Sequence, residues 1–186
     1  MATTAQAQAF FEKYGSLFIR TTGNTPLLPS VKAAQAALES GYGTSQTMVN
    51  ANAFFGIKAT GKSPYWTGKV YNSKTKEVIS GSTVTITSGF RVYDSLEQGS
   101  FDHTYLLSQS RYSRVMQATD YKSQCQAIQS SGYATDPNYA SKLISIIEKY
   151  NLTKLDAKKK MNKIVITTGC SLCILFLAFI IYKQYA

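Results

Sequence analysis

Leu27-Leu28-Pro29-Ser30-Val31-Lys32-Ala33-Ala34-Gln35-Ala36-Ala37-Leu38-Glu39-Ser40-Gly41-Tyr42-Gly43-Thr44 is the stretch that decides how this chain is read. Leu27, Leu28, Val31, Ala34 and Leu38 recur at spacings that share one face of a helix, and Ala33, Ala34, Ala36 and Ala37 favour the helical state. Pro29 or Ser30 opens this helix, and Gly41 with Gly43 closes it. Glu39 then stands in the last turn of a largely apolar helix. Lost hydration and the negative end of the helix dipole both favour its protonated form there. A carboxyl that keeps its proton near neutral pH is what a general acid requires, although a glutamate at a helix end is more often simply solvated.

Outward from that helix the periods change. Phe10, Phe11, Tyr14, Leu17 and Phe18 stand at helical spacing and predict a helix with an aromatic face within residues 1–22, without the charged start and continuous apolar run of a secretory signal. Residues 63–93 are rich in Tyr, Val, Thr and Gly. Val84-Thr85-Ile86-Thr87 alternates apolar with polar, while Asn72-Ser73 and Ser80-Gly81-Ser82 punctuate, which predicts a small antiparallel hairpin or sheet. From Ser95 to Tyr150 helical patterns return, with Tyr139, Leu143, Ile146, Ile147 and Tyr150 on one face. Helices with one small β insertion make an α+β domain.

The 186 residues, 44% hydrophobic, suffice for one compact domain and an extra segment, and a second full domain does not fit. The formal charge is +10, but residues 1–153 hold only 14 bases against 9 acids. Such a domain is drawn towards polyanions, nucleic acid and anionic bacterial wall alike. Its Lys and Arg form no helical stripe and no nucleic-acid motif, so no nucleic-acid partner is expected. Cys125, Cys170 and Cys173 give no disulfide framework; the Cys170-x-x-Cys173 pair falls in an uncharged apolar run with no His nearby. The single histidine, His103, beside Asp102 on a helix with Phe101, Tyr105, Leu106 and Leu107, reads as a packed structural residue. No metal and no cofactor are expected. Arg91 and Asp94, flanking a strand end, are expected to pair with each other.

The last thirty residues differ. Lys158-Lys159-Lys160 and Lys163 precede an uncharged stretch from Ile164 to Tyr182, followed by Lys183. Nineteen residues at a rise of about 1.5 Å span roughly 28 Å, close to the hydrocarbon core of a bilayer. The expected organisation is a catalytic domain at 1–153, a basic linker at 154–163, a transmembrane helix at 164–182 that engages the lipid bilayer, and a tail at 183–186. The chain would be single-pass with a C-terminal anchor. The lysine bias puts the domain on the cytoplasmic side, with the cell envelope as the alternative.

Ala37-Leu38-Glu39-Ser40-Gly41-Tyr42-Gly43-Thr44-Ser45, Asn52-Ala53-Phe54-Phe55-Gly56-Ile57-Lys58, Thr75-Lys76-Glu77, Phe90-Arg91-Val92-Tyr93-Asp94-Ser95, Asp102-His103 and Gly132-Tyr133-Ala134-Thr135-Asp136-Pro137-Asn138-Tyr139-Ala140 follow one another over about residues 10–152. Together these blocks resemble, in kind and order, the bacterial peptidoglycan glucosaminidases of glycoside hydrolase family 73, within the lysozyme-like superfamily. The family often carries a second Asn where this chain has Ala53. The resemblance implies a mainly helical lobe with a small β-hairpin lobe, and an endo-β-N-acetylglucosaminidase acting on peptidoglycan glycan strands. It puts Glu39 in the place of the acid, Glu77 in that of the second glutamate and Tyr133 near the acid in the cleft. Among the acidic candidates for the second group, only Glu77 lies in the β region; the plain reading of it is an exposed strand residue near Lys74 and Lys76. Asn52, Phe55, Trp66 and Tyr139 are candidates for lining the sugar site, with Phe55 also readable as groove floor or core, Tyr139 by its helical stripe as core, and Asp136 before Pro137 as a turn residue. A muramidase or lytic transglycosylase, and a non-catalytic membrane-tethered wall-binding module, are the alternatives.

Overall fold

Thr3 starts the first helix by a reciprocal cap: its hydroxyl accepts from Gln6 N at 3.2 Å and its own N–H donates to the Gln6 side chain at 2.8 Å. That helix, α1 (Thr4–Thr22), buries the aromatic face expected of it, with Phe10, Phe11 and Phe18 at most 7% exposed. Phe54 enters from a later loop to meet Tyr14 and Phe18 edge to face, at 4.9 and 5.3 Å between ring centroids. The computed structural model describes residues 2–79 and 82–164.

The second helix, α2 (Pro29–Ser40), carries Pro at its first turn and Gly41 in the left-handed conformation (φ 56°) at its end, as its sequence dictates. It is the axis of the helical lobe: Val31, Ala33, Ala34, Ala36 and Ala37 are all completely buried. Alanine on several sides lets α1, α6 (Tyr121–Ser130) and α7 (Tyr139–Lys149) pack directly against it. After α3 (Gln46–Ala51) the chain forms a single hairpin, β1 (Val70–Ile79) and β2 (Ser82–Arg91), antiparallel from Val70 opposite Arg91 to Ile79 opposite Ser82. Asn72-Ser73, expected as punctuation, runs through β1 without a break. Then come α4 (Leu96–Leu107), a 3₁₀ turn at Ser110–Tyr112, and α5 (Ser113–Gln117). The result is an α+β, lysozyme-like arrangement of mostly helices with a two-stranded sheet.

The hairpin joins the helices through a compact root. Arg91, 6% exposed at the end of β2, forms a two-pronged ion pair with the fully buried Asp102 of α4, its Nη1 2.9 and 3.2 Å from the carboxylate oxygens. Asp102 also accepts from Tyr93 Oη at 2.5 Å and from the Ser63 hydroxyl, while Arg91 Nη2 donates to Thr60 O at 2.5 Å. The expected Arg91–Asp94 pair is therefore replaced: Asp94 binds the exposed Lys69 at 2.9 Å instead. Gly99 of α4 permits the close approach, because a Cβ there would lie 2.7 Å from the Tyr93 ring.

The C-terminal expectation is corrected. No helix among the described residues is long and apolar enough to cross a membrane, so the transmembrane helix, the single-pass anchor and the bilayer contact drawn from it are not carried further. The basic segment before the apolar run is itself helical over 153–164 and belongs to the domain surface. Leu155 is 9% exposed, Asp156 accepts from Ser30 N and Oγ at 2.8 and 2.7 Å, and Lys159 donates to the carbonyls of Thr25 and Leu27 at 2.8 and 2.9 Å. A helix with lysines at 154, 158, 159, 160 and 163 is amphipathic, and hydropathy summed over the residues after it says nothing of how they pack. The remainder of the expected span, from residue 165, with the tail, Cys170 and Cys173, lies outside the described residues.

Candidate active site

Glu39 is placed by the way α2 ends. Tyr42 N bonds back to Ala37 O at 2.8 Å, and the buried Ser40 donates to Ala36 O while accepting from Gly43 N at 2.9 Å. These bonds fix the last turn, and with it the direction of Glu39. The Tyr139 hydroxyl, at the start of α7, donates to Glu39 Oε1 at 2.7 Å, and Gln35 Nε2, one turn earlier on α2, donates to that hydroxyl oxygen at 3.3 Å.

The electrostatics follow from this packing. Glu39 is open to solvent on one side, yet enough protein surrounds its carboxyl that lost hydration raises its pKa above the ordinary carboxylate value. The Tyr139 hydrogen bond pulls the other way by favouring the ionised form. Burial and the adjacent Glu39 raise the pKa of Tyr139, so that hydroxyl remains a donor across the working pH range. The Tyr133 phenol is pushed up in the same sense, first by burial and then by Tyr139 and Glu39.

A cleft of about 400 Å³ opens over these groups, lined by Leu38, Glu39, Tyr133, Thr135, Tyr139 and Lys142 among others. Tyr133 and Tyr139 stand side by side there, 5.8 Å between centroids. Asp136 accepts from Asn138 N at 2.9 Å and pairs with Lys142 at 2.6 Å, which closes the turn leading into α7.

The remaining sequence candidates are more dispersed. Glu77 lies on β1, opposite Val84 of β2. Asn52 adopts a left-handed conformation (φ 50°) after α3 and donates to Tyr93 O at 3.0 Å. Trp66 is half-buried at the hairpin root, with its indole N–H on Lys69 O at 2.7 Å and the Arg91 guanidinium 4.8 Å from the ring centre. Phe55 is 1% exposed and stacks on His103 at 3.5 Å, so its ring supports the core beneath the cleft. His103 is completely buried, and burial holds it neutral. Among the described residues no cluster of three or more His, Cys, Asp and Glu side chains could hold a metal ion.

Gln35 was not singled out in the sequence. Its spacing four residues before Glu39 on the same helix is the signal that places both on one side, within reach of a single partner.

A family model described as mannosyl-glycoprotein endo-β-N-acetylglucosaminidase matches residues 15–152. The chain is 36% identical over 159 residues to the exo-glucosaminidase LytG of Bacillus subtilis (strain 168), covering 82% of this chain and 51% of that protein. It is also 36% identical over 163 residues to a probable N-acetylmuramidase of Lactococcus lactis subsp. lactis (strain IL1403), covering 83% of this chain and 36% of that one. The chain thus spans about half or less of the length of these curated relatives. Among solved structures, a peptidoglycan hydrolase mutant from Sphingomonas sp. A1 superposes with a TM-score of 0.68 at 34% identity, over 80% of this chain and 97% of that one.

Proposed function

Because this chain belongs to the glucosaminidase family, whose model covers residues 15–152, we propose that it is a peptidoglycan hydrolase that cleaves β-1,4 bonds of the glycan strand as an endo-β-N-acetylglucosaminidase. The observation that carries the reading is Glu39, a carboxyl of raised pKa in a sugar-sized cleft, held by Tyr139 at 2.7 Å. The names of its relatives, a glucosaminidase and a peptidoglycan hydrolase, support the substrate class. Catalysis is assigned to residues 1–153, with the basic segment at 154–163 as an addition to that domain.

Protonated Glu39 is the general acid. Tyr139 occupies Oε1, which leaves Oε2 to present its proton to the oxygen bridging two sugars. As that carbon–oxygen bond breaks, the proton moves to the leaving oxygen and Glu39 becomes a carboxylate, which the same Tyr139 hydrogen bond stabilises. Positive charge grows at the anomeric carbon. Glu77, on β1 of the hairpin, is the group assigned to balance it or to activate the attacking water. The Tyr133 ring packs on the sugar face, with its hydroxyl donating to the acetamido oxygen. Asn52 and Trp66, at the hairpin root, are assigned to substrate binding.

A second reading, scission of the neighbouring muramic bond, is favoured by the likeness to the lactococcal probable N-acetylmuramidase. Mass spectrometry of digested walls separates the two. New reducing ends on N-acetylglucosamine support the proposal, whereas reducing or anhydro ends on N-acetylmuramic acid overturn it. Internal scission also shows as an early fall in mean strand length.

A further inference from the structure

Beside the Glu39 cleft lies a second one, of about 630 Å³, lined by Gln6, Leu38, Tyr42, Thr44, Lys149 and Tyr150 among others. Leu38 belongs to both clefts, so the two meet along a single ridge at the end of α2. The second is built differently from the first. Tyr42 and Tyr150 form its aromatic wall, edge to face at 6.3 Å, and Lys149 holds its ammonium 5.2 Å from the Tyr150 ring centre. No acidic side chain lines it among the described residues.

Tyr42 is held there at a cost. It has φ 57° between two glycines also at positive φ, Gly41 at 56° and Gly43 at 88°. A non-glycine residue in that region is strained by about 1–2 kcal/mol, and such strain persists only where the surroundings impose it. Here the Tyr42 ring stands against Phe10, Phe11 and Tyr150.

We propose that this second cleft binds the carboxylate-bearing peptide stem of the same peptidoglycan strand whose backbone lies in the Glu39 cleft, with Lys149 pairing a stem carboxylate and Tyr42 and Tyr150 packing on the peptide. The inference rests on the function proposed above. The reach fits: Lys149 lies about 15 Å along α7 from Tyr139, and a stem of four or five residues extends about 13–18 Å. The charge fits as well, since a single cation on an aromatic wall whose described lining holds no acid attracts an anion of low charge.

The test compares two substrates with the full chain: wall glycan carrying its peptide stems, and the same glycan stripped of stems by an amidase. For Lys149→Glu the ratio of kcat/KM on stem-bearing over stripped strands falls about three- to tenfold through KM, the size expected for reversing one exposed ionic contact. Lys149→Arg restores most of the ratio. An unchanged ratio in Lys149→Glu overturns the proposal, as does an equal loss on both substrates, which would mark a structural effect. Failure of the wild type to cut either substrate overturns the hydrolase reading itself, and this inference with it.

Discussion

The two glutamates assigned to catalysis stand on halves of the molecule built by opposite means. Glu39 closes a helix whose body is completely buried, and backbone and side-chain bonds around Ser40, Tyr42 and Gly43 set its direction before Tyr139 takes one of its oxygens. Glu77 stands on a two-stranded hairpin whose described apolar residues include Val70 at 48% and Ile86 at 36% exposure. That hairpin is tied to the helices by the Arg91–Asp102 pair and a small cluster of Ala51, Ala53 and Tyr93. A deep core fixes position to a fraction of an ångström, whereas a root of polar contacts fixes orientation at lower local stability. The difference suits an acid that must be preorganised and a partner that arrives with the substrate.

The comparison can be broken at four points, from the largest effect downwards. Glu39→Gln keeps the shape and removes the proton donor, so turnover of purified walls falls by about two to four orders of magnitude with an unchanged melting temperature. Retained wall-degrading activity in this variant would remove Glu39 from the role of the acid. Asp102→Asn strands the buried Arg91 guanidinium. Loss of one partner of a buried pair costs about 3–5 kcal/mol, read as a lower urea midpoint, and the hairpin root loosens before the helices do in hydrogen exchange. If the whole chain loosens together, the two halves are one cooperative unit and the contrast fails.

Glu77→Gln lowers kcat by about ten- to a hundredfold, with a smaller effect on KM and none on stability, since charge balance is demanded only in the transition state. Tyr139→Phe sharpens the picture of the acid. Its hydroxyl favours the ionised Glu39, so its removal raises the Glu39 pKa further and moves the alkaline limb of the kcat/KM profile to higher pH. Activity needs the protonated form and is lost as pH rises through that pKa. A limb that moves to lower pH contradicts the geometry, and the rate at the optimum drops only about tenfold, because a single hydrogen bond from an uncharged donor is lost.

Legibility differs between the two halves for the same reason. The helix bearing Glu39 could be read locally, because proline, alanine, apolar spacing and glycine act over a few residues. The aromatic face of α1 and the alternation in β2 were legible in the same way. Lys32 was not: it looks like an ordinary polar helix position, yet it is completely buried, its ammonium bonded to Ser100 O and Thr104 Oγ1 at 2.5 Å. The partner of Arg91 was misjudged because proximity in sequence favoured Asp94, while the approach of α4 at Gly99 brought Asp102. The membrane span was read from the hydropathy of the apolar run after residue 163 alone, and no helix among the described residues is long and apolar enough to cross a membrane.

The amino-acid order by itself determined the helical lobe, the single hairpin and a carboxyl at the end of α2 with reason to hold its proton, since each depends on short-range propensity and burial. Tertiary structure decided what that carboxyl meets. Tyr139 lies 100 residues away, and Asp102 reaches Arg91 only when α4 crosses the hairpin root. Such contacts are set by how close-packed helices and sheet dock on one another, and that docking follows from the shape and volume of the whole core rather than from any local period.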